Sequence, residues 1–214
     1  MSDTYLTIDR PARAELRVLG SRFIAEAIAV TSPGEAQQAL EGIRRRMHDA
    51  THHCWAYRLG PNGAEARFSD AGEPSGTAGR PIMSALERLA LTDVLLVVTR
   101  YFGGTKLGTG RLARAYGEAA SSVLAACGSR ECVLQELLAV RVPHQRIGEL
   151  THVVALCGGK IRGTAHAEEA EYHVELRLSR LEEFSAMLAE RTAGTATVLS
   201  LGRRTAGQAG EERS

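Results

Sequence analysis

None of the four cysteines, Cys54, Cys127, Cys132 and Cys157, forms a CxxC pair, so the spacing excludes a zinc-ribbon site and a disulfide framework. Small buried thiols in a reducing compartment are the expectation that remains. No run of 18 apolar residues is present, which gives no candidate for a membrane-spanning helix. The opening MSDTYLTIDRPARAEL carries acids and no apolar core segment, unlike a secretion signal. A cytoplasmic protein without membrane contact is therefore expected. Charge of one sign is also lacking. Through Leu134 there are 16 basic and 14 acidic residues, and the remainder of the 214-residue chain has 10 and 11, for a net charge of +1. Neither half is a strongly basic nucleic-acid module, so nucleic-acid contact would need a local patch. There is no low-complexity run and no exact repeat. With 44% apolar and 24% charged residues, the rest is ordinary globular material.

What is present concentrates in Asp70–Gly110, where seven of the 22 glycines fall within 41 residues. They form two clusters, Gly72–Gly79 and Gly103–Gly110, separated by the strand-like run Val94–Val98 and each followed by a helical pattern. Loops this rich in glycine imply unusual dihedrals or close approach of another group to the backbone.

Ahead of this stretch, residues 1–14 read as a flexible lead-in, with a first strand at Glu15–Leu19 and a two-sided strand at Phe23–Val30. A helix follows, with Ser32 as N-cap, Pro33 at N1 and Glu35 closing a capping box. Arg44–Arg46 in its last turn either complement the helix dipole or form an RNA patch. A hairpin then turns at Pro61–Asn62–Gly63. Pro81 opens a helix that buries Ile82, Leu86 and Leu89, and Arg111–Ala126 form an alanine-rich helix. Beyond Gly128 the order strand–helix–strand–strand–helix–strand predicts a ferredoxin-like unit. The fold class is α+β, with the lead-in at 1–14, one domain at 15–132, a ferredoxin-like domain at 133–202 and a disordered tail at 203–214.

Three chemistries compete for the glycine-rich stretch. Gly108–Thr109–Gly110–Arg111–Leu112–Ala113 fits GxGxxG/A, but a dinucleotide fold wants an acid at the end of the next strand, and Glu131 precedes its strand. The phosphate-loop pattern fails because Thr109 stands where lysine is required. Amides at a helix N-terminus, with Lys106 and Arg111 beside them, still favour an anion. Ser75 or Thr77 could act as a nucleophile with His52 or His53 as base and Asp49 or Asp70 as orienter, and Asp70 with Glu73 could form a carboxylate pair. Alternatively Asp70 and Ser75 bond backbone amides in a structural turn. Asp49, His52 and His53 could ligate a metal, but adjacent strand residues face opposite sides, which favours histidines that hydrogen-bond the neighbouring loop. No metal or cofactor is expected.

Three segments, DATHHCWAY at 49–57, RFSDAGEPSGTAGRPI at 67–82 and VVTRYFGGTKLGTGRLARAYGEA at 97–119, resemble the signatures of the IMPACT/YigZ family. The resemblance implies an N-terminal domain similar to the second domain of a small-subunit ribosomal protein, a fold shared with elongation-factor G domain IV and a group of small-molecule kinases. It implies a C-terminal domain similar to a late domain of elongation factor G. Eukaryotic relatives restrain the starvation kinase that acts on initiation factor two, by competing for its activator. Their extra N-terminal protein-binding domain is not expected here. Two departures stand out: Ala71 gives DAG where the family usually has DDG, which argues against carboxylate chemistry, and Arg111 replaces a usual glycine and adds positive charge. The implied role is translation-linked binding of RNA, the ribosome or a translation factor. The expected surface comprises Asp49, His52, His53, Asp70, Gly72, Glu73, Pro74, Ser75, Gly76, Thr77, Gly79, Arg100, Tyr101, Phe102, Gly103, Gly104, Lys106, Gly108, Gly110 and Arg111. The alternatives are a hydrolase or phosphotransferase using the same cleft, and a protein–protein adaptor without nucleic-acid binding.

Overall fold

The computed structural model describes residues 3–166 and 170–206. Two compact units divide the chain, Tyr5–Glu131 and a second that runs from Cys132 and takes in Thr4.

The first unit is built on strands β1 (Thr4–Ile8), β2 (Ala12–Val18) and β3 (Ser21–Ala29), helix α1 (Pro33–Arg46), strands β4 (His52–Leu59) and β5 (Glu65–Ser69), helix α2 (Gly79–Arg88), strand β6 (Val94–Tyr101) and helix α3 (Thr109–Cys127). Its sheet has the order β2-β3-β6-β4-β5, and every neighbouring pair is antiparallel. Alternation decides the layers. Phe23, Ala25 and Ala27 of β3 and Val94, Leu96 and Val98 of β6 bury with α2 and α3. Ile24 of β3 and Leu95 and Val97 of β6 bury with Leu40 and Ile43 of α1 on the opposite face.

Local signals place most of these elements. Ser32 caps α1 by accepting from the Glu35 amide at 3.2 Å. The Glu35 carboxylate reaches back one residue further than a capping box requires, to the Thr31 amide at 2.7 Å. Helix α2 starts at Gly79, so Pro81 stands third in it, not first. Leu89, expected inside, is exposed because the helix ends at Arg88.

Within the lead-in expected over residues 1–14, Thr4–Ile8 and the start of Ala12–Val18 are strand, and residues 1 and 2 lie outside the described residues. Thr92 donates to the Leu6 carbonyl at 2.9 Å and the Tyr5 hydroxyl donates to Asp93 at 2.7 Å. In β2, Ala12, Ala14, Leu16 and Val18 pack on the core while Arg13 and Arg17 are exposed. This edge strand is half charged, which disguised its alternation.

The second unit comprises β7 (Ser129–Val142), α4 (Ile147–Leu156), β8 (Lys160–His166), β9 (Ala170–Arg177), α5 (Leu181–Arg191) and β10 (Thr197–Ala206). Strands β10-β7-β9-β8 lie in that order, all antiparallel, as in a ferredoxin-like unit. Leu138, Val140, Tyr172 and Val174 bury with Leu150, Phe184 and Leu188 of the helices. Residues 203–206 of the predicted disordered tail belong to β10, where Arg203 pairs in register with Glu136. Residues 207–214 of that tail lie outside the described residues. Among the described residues, no helix is long and apolar enough to cross a membrane.

Candidate functional site

The antiparallel register of the first unit brings the predicted residues to one end of its sheet. Ser21 follows the β2–β3 turn, Arg22 pairs with Tyr101, and His52 pairs with Arg100. On the outer strand Ser69 pairs with Trp55 and leads directly into Asp70. Both glycine loops therefore leave from this end.

Under the first loop lies a buried polar network. Glu73 accepts from Arg100 Nη1 at 2.8 Å and from the Tyr116 hydroxyl at 2.7 Å. The Arg100 and Glu73 side chains are only 6% and 4% exposed, so the pair is an internal one. Arg100 Nη2 also donates to Ser21 Oγ at 3.2 Å, and the same oxygen accepts from the Gly103 amide at 3.2 Å. One guanidinium thus ties the first glycine loop to the β2–β3 turn and the start of the second loop. The Cys54 thiol donates to the Asp70 carbonyl at 2.9 Å and sits 3.3 Å from the Tyr116 hydroxyl. Burial pushes that thiol up to about 12, so it stays protonated, and burial likewise raises the Tyr116 phenol.

Asp70 caps α2 from outside the helix. Its carboxylate accepts from the amides of Gly76, Ala78 and Gly79 at 2.9, 2.9 and 2.8 Å. Partial burial raises its pKa, but the three amide bonds outweigh this and hold it below the usual carboxylate value. Asp70→Asn, which removes the charge and one of the two accepting oxygens while keeping the other, is expected to cost about 1–2 kcal/mol near neutrality. Because the folded pKa is depressed, the contribution is complete above the unfolded value of about 3.9 and disappears as pH falls through the folded value. Urea midpoints should therefore separate the two proteins at pH 6 and converge below about pH 4. A constant gap over that range would remove the ionised carboxylate from the account.

The two histidines part company, as adjacent strand residues must. His52 Nδ1 lies 2.9 Å from the Ala71 carbonyl, which can only accept, so the ring proton is on Nδ1. Its Nε2 stands 3.8 Å from Glu73 Oε2. His53 Nδ1 bonds Thr99 Oγ1 at 3.1 Å on the α1 face. Burial first, and then the charge of Arg44, hold the His53 imidazole below its ordinary value. No three metal-ligating side chains cluster among the described residues.

The nucleophile arrangement is not assembled. Thr77 donates its hydroxyl to the Pro74 carbonyl at 2.6 Å, Ser75 is exposed, and both histidine Nδ1 atoms are bonded elsewhere. Nor do Asp70 and Glu73 form a carboxylate pair, since one caps amides and the other faces Arg100. A cleft of about 650 Å³ lies between α2 and α3, lined by residues that include Ser84, Arg88, Arg114 and Ser121. None of the predicted site residues lines it.

The outer layer is different. Gly72, Pro74, Ser75, Gly76, Phe102, Gly103, Gly104, Lys106, Gly108, Gly110 and Arg111 are all exposed. Buried Leu107 anchors the second loop in the core. The first-turn amides of α3 have no side-chain cap, and Gly108 precedes them at φ +73°. Among the described residues, the Lys106 and Arg111 side chains have neither a hydrogen-bond partner nor an ion pair. Tyr101 is half-buried and engaged, its hydroxyl donating to exposed Asp49 at 2.9 Å and its ring covered by Arg22 at 4.7 Å.

Residues 19–124 match the family model described as the Impact N-terminal domain, and residues 140–195 match one described as a domain of unknown function, DUF1949. The IMPACT family member YvyE of Bacillus subtilis is 32% identical over 198 residues, spanning 92% of this chain and 91% of that protein. The chain belongs to the IMPACT family. The family member YigZ of Escherichia coli is 33% identical over 203 residues, spanning 93% of this chain and 98% of its own. A solved structure described as a hypothetical protein covers 94% of this chain and 99% of its own at 29% identity, with a TM-score of 0.68. Two-domain α+β architecture is thus common to this IMPACT family protein and a solved relative.

Sequence reasoning missed Tyr116, Cys54 and Ser21 as members of the network. Tyr116 carried a usable signal: a phenol on the buried stripe of an alanine-rich helix needs a hydrogen-bond partner. Ser21 carried none, since it reads as part of a turn.

Proposed function

We propose that this IMPACT family protein is a translation-linked binding protein, and that it presents the end of the first unit's sheet to RNA, free or within the ribosome. One observation carries the reading. The buried polar groups Glu73, Arg100 and Thr77 and the half-buried Asp70 are consumed in holding the loops, whereas the cations and amides of the second loop facing solvent are left without internal partners. Such a layer is suited to receive a polyanion and offers no assembled nucleophile and base. The eukaryotic IMPACT homologues, which are translation-related regulators, support the same direction, as does the resemblance of the first unit to a ribosomal-protein domain. Phosphates would lie against Lys106, Arg111 and the amides that open α3.

Binding of this kind weakens steeply with salt. In a salt titration of RNA affinity, Lys106→Ala is expected to reduce the slope of log K against log salt by about one unit. Capture from a lysate should be abolished by nuclease. An unchanged slope, or capture that survives nuclease, would instead favour the adaptor reading, in which the glycine loops dock a protein.

A further inference from the structure

Phe102 is conspicuous on this surface. A large apolar ring stands 47% exposed immediately after the last residue of β6, the most buried strand of the sheet. Its main chain is tied down and its ring has a guanidinium on one face. The Phe102 amide donates to Thr51 Oγ1 at 3.0 Å, and the Arg100 guanidinium lies 5.6 Å from the ring centroid. Arg100 is itself immobilised by Glu73 and Ser21, so the ring rests on a buried cation that cannot swing away. A side chain ordered in advance loses little rotamer freedom when something stacks on it.

The solvent-facing charge on the same loop selects what that something is. Lys106, four residues on, is exposed and without a partner. An exposed aromatic that rests on a buried guanidinium and shares its loop with a solvent-facing lysine fits a flat ring joined to phosphates. Base stacking needs an accessible π-face, which a paired base inside an A-form helix does not offer.

We propose that Phe102 is a stacking platform for an unpaired nucleobase, with Lys106 on the neighbouring phosphate, so that the sheet end takes single-stranded RNA in preference to duplex. This rests on the RNA reading above and narrows it. Tyr101, half-buried and with its hydroxyl held by Asp49, has no such role.

The test uses the full chain and fluorescence anisotropy with a labelled mixed-sequence oligoribonucleotide of about ten nucleotides, and the same sequence closed into a hairpin duplex. The single strand should bind more tightly than the duplex. Phe102→Ala should weaken single-strand binding by about 5- to 150-fold, the range of one stacked base, while leaving the salt slope unchanged. Phe102→Trp should retain binding, and the fluorescence of the added indole should be quenched by the RNA. Equal binding of single strand and duplex, or wild-type affinity in Phe102→Ala, would overturn the stacking platform and leave the phosphate-binding reading standing. Failure of the wild-type protein to bind any RNA at low salt would overturn both.

Discussion

Arg100→Met is expected to lower the stability of the first unit by about 3–5 kcal/mol, because it strands the Glu73 carboxylate without its counter-ion. The magnitude follows from burial. The pair lies almost wholly out of water, and an unpaired carboxylate there retains only the Tyr116 hydroxyl at 2.7 Å as a close donor. At the surface the same bond would contribute about 1 kcal/mol or less. Replacing both partners, as in Arg100→Met with Glu73→Leu, should recover most of the loss, since an apolar pair carries no desolvation penalty. Urea denaturation of the two single variants and the double variant gives the coupling directly. A cost for Arg100→Met below about 1 kcal/mol would mean that water reaches Glu73. The local consequence matters as much: without Arg100, residues 70–79 lose their tie to β6 and to Ser21, so their amides should exchange faster even where the unit remains folded.

Gly103→Ala should be nearly as damaging, about 3 kcal/mol or more, through backbone displacement. A methyl at this position would sit 1.9 Å from the Gly20 carbonyl carbon and 2.2 Å from the Ser21 nitrogen. Both are main-chain atoms of the β2–β3 turn, so no side-chain rotation relieves the overlap. The turn would have to move off the second glycine loop, breaking the Gly103–Ser21 hydrogen bond. Gly104→Ala is the control. Its methyl meets nothing, and only the φ of +84° opposes it, at a cost of about 1–2 kcal/mol. Thermal melts of the two variants should therefore differ clearly. Equal shifts would mean that the turn yields to the added methyl.

Much of the fold was legible because its signals are local. Alternation along Phe23–Ala29 and Val94–Val98 marked strands covered on both faces, and the buried stripe Leu112, Tyr116, Ala119, Ala120, Val123 oriented α3. The cap of α1 followed from Ser32 and Pro33. The start of α2 did not, because its cap is an aspartate eight residues before Ala78 that reaches back through a folded loop. The strand Thr4–Ile8 went unread for a related reason. Its pairing partners, among them Thr92, lie far along the chain.

For the site, the glycine pattern located the two loops, and the motifs around them indicated the family. Local order cannot report which charged groups meet. Glu73 and Arg100 are 27 positions apart, Arg100 and Ser21 79 apart, and they touch because a non-sequential strand order sets β3 against β6 and β6 against β4.

The sequence by itself determined the apolar faces, the loop positions and the kinship, since burial preference is a property that each residue carries wherever it stands. Only the tertiary structure decided that Glu73 and Arg100 turn inward as scaffold while Phe102 and Lys106 face water. That division depends on which backbones lie side by side, and hence on where a carboxylate can find its cation away from solvent.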